Sequence, residues 1–305
     1  MRDSVLCYGA ADRQPKRIDY TAMKCLVINL DRSRDRLAHL TSEFARIGIE
    51  FERVAAVDAQ SRSDLQETPM QLNPLTQLPL TNAEIACFLS HKACWAKIAD
   101  GVDAYGVVFE DDVVFSDNAG AMLADASWIP ADAEIVKLET FFRKTRLAWR
   151  RSPAGDGFST SRLLGAHVGA AGYILSRPAA RDLIDGTAEL GSPVDQVLFN
   201  PRFAPSPGKT IYQLVPALCA QERFLRTTGL PSLLFEERRE QRLADVQSGS
   251  RTTKTLPMRI GAETRKMLGR VADFCRLKQR MMFIAFYRHG KRVRPAHTHN
   301  REKAL

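Results

Sequence analysis

No apolar run in the chain approaches the about 20 residues that cross a bilayer as a helix. The longest candidate, Met281–Tyr287, has seven residues between Arg280 and Arg288. The N-terminus has no apolar signal core followed by a small-residue cleavage site, so no export is expected. There is no CxxC pair among the six cysteines and no GxxxxGK[ST] phosphate loop. No repeat of 20–50 residues is apparent. These absences argue against a membrane-spanning protein, a disulfide scaffold, a P-loop enzyme and a solenoid. Without an export signal the cysteines read as free thiols. Cys87 and Cys94, seven residues apart on a predicted helix, stand about 10 Å apart along its axis, too far for a disulfide.

A chain of 305 residues with 45% hydrophobic content can bury a substantial core. Its charge is uneven. The formal net charge is +9, but residues 251–305 carry 15 Lys+Arg and 3 Asp+Glu, and residues 1–250 carry 29 and 32. A body at −3 with a tail at +12 argues against nucleic acid held by the whole surface. It indicates a separate basic patch, with Phe274, Leu277, Met281, Met282, Phe283, Ile284 and Phe286 set among its arginines. Basic residues beside an apolar stripe suit an anionic membrane interface. The alternative is a solvated helix packed on the body.

Residues 1–22 lack periodicity and are expected to be a disordered leader. Cys25–Leu30 is a short apolar run, as in a buried strand. Leu37, Leu40, Phe44 and Ile47 then recur at helical steps after Ser33, and Gly48 closes the helix. Phe51–Val57 is a second strand, so the chain opens β-α-β with parallel pairing. Thr81 and Glu84 form a capping box before a helix with Ile85, Phe88, Leu89, Trp95 and Ile98 inward. Gly106–Phe109, Ile135–Leu138, Val168–Leu175 and Ile211–Val215 are further strands. Ser176 caps a helix with Pro178 in its first turn. The Arg-rich segment 141–165 reads as a long loop. The alternation predicts a mostly parallel α/β sheet with helices on both faces. The C-terminal 236–305 reads as a basic helical extension.

Four groups of residues carry chemistry. Glu110-Asp111-Asp112 follows a hydrophobic strand directly. Ligands bind at the carboxyl ends of strands in such sheets. Three adjacent carboxylates repel one another, and a hard cation relieves this. Glu110 and Asp112 share one side of an extended segment, and Asp111 points to the other. The competing reading is a solvated acidic loop. Asn29 to Arg36 lies at a strand end and helix start, a natural anion site, where Asn29 and Asp31 could bond a base or ribose. The competing reading is a capped helix with surface charges. His91 in CFLSHKACW has no second His or carboxylate at metal spacing, and reads as a packed structural residue. Asp195, in a polar turn, matters only if the fold returns it to the strand ends.

In order along residues 24–220, VINLDRSRDRL (27–37), FERVAAVDA (51–59), CFLSHKACW (87–95), VVFEDDVVF (107–115), GAAGYILSRPAA (169–180) and PVDQVL (193–198) resemble glycosyltransferase family 25. That family includes bacterial lipopolysaccharide and lipooligosaccharide galactosyltransferases and related procollagen galactosyltransferases. One departure is Ala83-Glu84-Ile85-Ala86-Cys87, where Gly-Glu-x-Gly-Cys is expected; alanine for glycine is mild in a helix.

The resemblance implies a GT-A type, Rossmann-like domain over 23–235 and a UDP-sugar donor, with galactose the first choice. It further implies Mn²⁺ or Mg²⁺ on Glu110 and Asp112, and transfer with inversion to a saccharide or lipid-linked saccharide. Asn29, Asp31, Arg36 and Asp111 would orient the nucleotide, and arginines of 143–162 would close over its phosphates. Asp195 is the first choice for the general base and Glu139, also at a strand end, the second. The expected setting is cytoplasmic, peripheral at the inner face of the membrane through 251–305, with no nucleic acid partner. Two alternatives stay open: a metal-dependent phosphoryl-transfer or phosphate-ester hydrolysing enzyme, and a non-catalytic nucleotide-sugar-binding module.

Overall fold

A computed structural model describes residues 23–62, 64–67, 80–188, 192–200, 209–225 and 279–295. The expected leader and residues 236–278 and 296–305 of the C-terminal region lie outside the described residues.

The chain opens as the apolar pattern requires. Strand β1 (Lys24–Asn29) is followed by helix α1 (Arg34–Ile47) and strand β2 (Glu52–Ala55). β1 pairs parallel with β2. Gly48 ends α1 in the left-handed conformation, its N–H returning to the last turn. A short helix α2 (Asp64–Glu67) precedes α3 (Asn82–Ala99). The Thr81–Glu84 capping box forms in full, with both reciprocal bonds.

Next come β3 (Tyr105–Glu110), β4 (Val113–Phe115), α4 (Ala119–Ala124), β5 (Ile135–Lys137) and β6 (Glu139–Thr140). Segment 141–165 is not a loop. It forms β7 (Lys144–Ala148), β8 (Ser152–Gly155) and β9 (Phe158–Arg162). In β7 Thr145 and Leu147 are buried while Lys144 is exposed and Arg146 half-buried. That two-residue alternation is a strand signal masked by the long basic side chains. β10 (Gly172–Ser176), α5 (Arg177–Gly186), α6 (Val194–Phe199), β11 (Ile211–Val215), β12 (Cys219–Gln221) and α7 (Glu222–Leu225) follow. Ser176 caps α5 through Ala179 N–H.

The main sheet has eight strands in the order β2-β1-β3-β10-β5-β11-β9-β8. β10 is antiparallel to β3 and β5, and β9 is antiparallel to β11 and β8. All the others point one way, so the sheet is mainly parallel as predicted. Helices cover both faces. On one, Leu40 and Phe44 of α1 pack with Val27, Val107 and Phe109; on the other, Phe88 and Trp95 of α3 and Leu183 of α5 pack with Leu26, Val108 and Tyr173.

Two consequences position the site. The carboxyl ends of β1, β3, β5 and β11 gather at one edge, because these strands point the same way. The reversed β10 brings its amino end, and the preceding Gly169–Ala171, to that same edge.

The predicted helical character of the C-terminal extension fails over its described part. Residues 279–295 form β13 (Gln279–Phe283), β14 (Tyr287–Arg288) and β15 (Lys291–Arg292). β13 pairs antiparallel with β7. Met281 and Phe283 face out while Ile284 and Phe286 are buried. Arg288 reaches Glu43 of α1 at 2.7 Å, and Thr140 Oγ1 donates to Ile284 O at 2.9 Å. In a run this apolar and this basic, hydrophobicity alone does not separate a strand from a helix.

Candidate active site

β3 runs out at Glu110, and the chain turns through Asp111 and Asp112 into β4. Because Asp111 and Asp112 form a turn rather than an extended segment, the expected alternation does not hold: both face the Arg36 guanidinium, and Glu110 faces His91. Asp111 enters a polar pocket behind the turn. Its Oδ2 accepts from Asn29 Nδ2 at 2.8 Å, and its Oδ1 is paired with Arg36. Burial pushes the Asp111 carboxyl above its usual range, against the pull of Arg36 and Asn29. Asn29 also donates to Ser33 O at 3.1 Å and accepts from Arg53 Nε at 3.0 Å. Asp111 thus joins Asn29 and Arg36 and braces the first strand end against the acidic turn. Asp31 stands apart from them. Its side chain is 81% exposed and is paired with Arg53.

Asp112 is buried, with Oδ2 3.7 Å from Arg36 Nη2. Its Oδ1 is buried and has no hydrogen-bond partner among the described residues. Burial, then the nearby Glu110 charge, push its carboxyl up to about 7. Glu110 is partly open, its side chain 23% exposed. Burial works to raise it, but the His91 hydrogen bond and the charges of Arg36 and Arg223 hold it below the usual carboxylate range.

His91 has the carboxylate neighbour that its local sequence lacks. Its Nε2 lies 3.3 Å from Glu110 Oε1, and its Nδ1 lies 3.0 Å from Tyr173 OH. Trp95 Nε1 donates to that hydroxyl at 2.7 Å. An indole N–H only donates, so the tyrosine oxygen accepts from it. The phenol proton is then available to His91 Nδ1, leaving the ring N–H on Nε2 toward Glu110.

Across the edge, Glu139 is fully buried. It accepts from Lys137 Nζ at 3.1 Å and from Ala171 N–H at 2.8 Å. Burial raises its carboxyl, against the Lys137 charge and with help from Glu110. Asp195, in the first turn of α6, is half-buried, and its Oδ2 accepts from Gly169 N–H at 3.1 Å. Gly169 O accepts from Lys137 Nζ. One glycine therefore ties Lys137, Glu139 and Asp195 together. It has φ +82°, and a Cβ there would stand 2.0 Å from Glu139 Oε1.

The fold thus brings Glu110, Asp112 and Glu139 to one edge and returns Asp195 to the Gly169 segment beside Glu139. Asp31 lies at the margin, linked through Arg53, which bonds both Asp31 and Asn29. His91, Tyr173, Lys137, Gly169 and Arg223 belong to the site as well. His91 and Gly169 lie inside landmarks already read in the sequence, but their partners are 19 and 26 residues away in the chain, or more.

The sequence pattern of glycosyltransferase family 25, described as an LPS biosynthesis protein family, matches residues 22–198. The chain belongs to this family. It is 37% identical over 211 residues to the lacto-N-neotetraose biosynthesis glycosyltransferase LgtB of Neisseria meningitidis serogroup B, covering 64% of this chain and 74% of that protein. It is 34% identical over 230 residues to LgtE of Neisseria gonorrhoeae, covering 70% and 81%. The lipooligosaccharide biosynthesis protein lic2B of Haemophilus influenzae is 30% identical over 257 residues, covering 80% and 93%. As a member of family 25 the chain is a glycosyltransferase. The acidic turn, the Asn29–Arg36 segment and Asp195 all fall within the matched span.

Proposed function

We propose that this glycosyltransferase moves a hexose, with galactose the first choice, from a UDP-sugar to a saccharide acceptor in lipopolysaccharide biosynthesis, with inversion at the anomeric carbon and with a divalent cation. The observation that carries the cation is Asp112 Oδ1. A buried carboxylate oxygen without a donor is costly unless a positive group completes it. Glu110 and Asp112 supply hard oxygen ligands, which suit Mg²⁺ or Mn²⁺. When bound there, such an ion neutralises charge on a diphosphate leaving group.

The chain's own residues do the rest. Asn29, Arg36 and Asp111 hold the turn that presents Asp112. Glu139 is fully buried, with Lys137 on one oxygen and Ala171 N–H on the other, so it offers no open oxygen to an acceptor hydroxyl and acts as a bracing residue rather than the base. Asp195 keeps Oδ1 for that hydroxyl while Gly169 N–H fixes Oδ2. The bond from the anomeric carbon to the diphosphate oxygen breaks as the acceptor oxygen attacks from the opposite face. Asp195 takes the acceptor proton, and UDP leaves.

The acceptor side is read from the β7–β13 ribbon. Residues 141–155 and 279–295 hold ten Lys+Arg and no Asp or Glu. Trp149, Met281 and Phe283 are 58%, 55% and 50% exposed. Such a face fits an anionic membrane that carries a lipid-linked saccharide.

UDP release over a panel of UDP-sugars with a saccharide acceptor and Mn²⁺ tests the reading. UDP-galactose should lead, EDTA should abolish release, and Asp112→Asn should lose at least 100-fold, about 2.7 kcal/mol of barrier. Equal turnover in EDTA would remove the cation from the mechanism. Phosphate release without sugar transfer would favour the hydrolase alternative.

A further inference from the structure

A second kind of ligand set lies beside the acidic turn. Cys87 and His91 are four residues apart on α3, so both project from one face of the helix. The end of β3 brings Glu110 to them. The Cys87 sulfur, a His91 nitrogen and a Glu110 oxygen all lie within 4.8 Å of one another.

The His91–Glu110 spacing is informative. At 3.3 Å the pair is hydrogen-bonded without a metal. The same spacing meets the roughly 3.3 Å edge of a tetrahedron built from Zn–N and Zn–O bonds of about 2.0–2.1 Å, and the set, which spans up to 4.8 Å, draws together on binding toward the about 3.5 Å edge that a Zn–S bond of about 2.3 Å sets. The far side of the ring has a partner that can exchange donor and acceptor roles with it. With Nε2 on a metal, the ring proton moves to Nδ1 and is donated to Tyr173 OH, 3.0 Å away. Ligating histidines are oriented by such partners. Trp95 Nε1 holds the same hydroxyl at 2.7 Å, so the tyrosine oxygen is fixed in place.

We propose that Cys87, His91 and Glu110 form a soft-metal site that takes Zn²⁺, with the fourth position open. Thiolate and imidazole favour zinc over the hard Mg²⁺ and Mn²⁺. Glu110 is shared with the cation site of the proposed function. Zinc therefore withdraws a ligand from that site and inhibits transfer. Only this inhibition rests on the proposed function; the binding itself does not.

Cobalt(II) is the probe for binding, added to the metal-free full-length chain. Wild type should show a thiolate-to-cobalt charge-transfer band that one equivalent of Zn²⁺ removes. Cys87→Ser should lose that band and at least tenfold in Zn²⁺ affinity. Alkylation of wild-type Cys87, mapped by mass spectrometry, should be blocked by Zn²⁺ and not by Mg²⁺; this arm needs no variant to fold. No charge-transfer band in wild type, a band of equal intensity in Cys87→Ser, or unchanged alkylation with Zn²⁺ would each overturn the site. In a transfer assay with Mn²⁺, Cys87→Ser should keep wild-type turnover and lose zinc inhibition. If cobalt binds through Cys87 but zinc leaves transfer untouched, the site stands and the sharing of Glu110 fails.

Discussion

Replacing Gly169 by alanine adds one methyl group at the point where three charged side chains meet. The backbone there has φ +82°, and the new Cβ would lie 2.0 Å from Glu139 Oε1 and 2.8 Å from the Phe141 ring. Left-handed backbone costs an L-residue about 1–2 kcal/mol. Forcing a methyl into a packed site adds roughly 1–3 kcal/mol. A loss near 3 kcal/mol corresponds to a fall in Tm of about 6–12 °C for a domain of this size. The displaced groups belong to the proposed site. Glu139 must move off Lys137 or Ala171 N–H, and Gly169 N–H must shift under Asp195. Transfer should therefore fall by more than the unfolded fraction explains, measured at a temperature where both proteins are folded. Adding Glu139→Asp draws the carboxylate back by about one C–C bond, roughly 1.5 Å, and should recover part of the Tm. A Gly169→Ala protein that melts within about 1 °C of wild type, under 1 kcal/mol, and turns over normally would refute this account.

Asp195→Asn should abolish transfer with little change in Tm, whereas Glu139→Gln should lower Tm because it leaves the Lys137 charge buried without a countercharge; the reverse pattern in paired melts and turnover assays would exchange their roles. Glu43 accepts from Phe115 N–H, Arg46 and Arg288, and although burial opposes it, these bonds hold its carboxyl below the usual 4.5. Its contribution is present above pH 4.5 and is lost as pH falls through the lower folded value, so Glu43→Gln should cost about 3 kcal/mol at pH 7 and progressively less in acid, read by urea melts at both pH values. Tyr173→Phe leaves the Trp95 N–H buried without a partner and should cost about 1–3 kcal/mol in the same melts. Met281→Ser with Phe283→Ser should weaken co-sedimentation with anionic vesicles by about tenfold or more, 1.4 kcal/mol, without altering transfer to a soluble acceptor; unchanged sedimentation would clear the ribbon of any membrane role.

What the sequence by itself determined is local. The Thr81–Glu84 box, Ser176 with Pro178, and Gly48 mark helix ends because each satisfies or terminates backbone hydrogen bonds within a few residues. The apolar runs of β1 and β3 mark buried strands, and Glu110 to Asp112 mark the polar turn that ends β3, because burial is written residue by residue. Tertiary structure decided which side chains meet. Asn29 and Asp111 are 82 residues apart and bond only because β1 and β3 lie side by side and parallel. Reversal of β10 between β3 and β5 delivers Tyr173 to His91 and brings Gly169 to the sheet edge, where it meets Glu139 and Asp195. No short-range pattern encodes that reversal, since a strand buried on both faces has the same apolar signature in either direction. For the same reason His91, isolated in its own helix, acquires a carboxylate and a thiol neighbour only when α3 is laid across the end of β3.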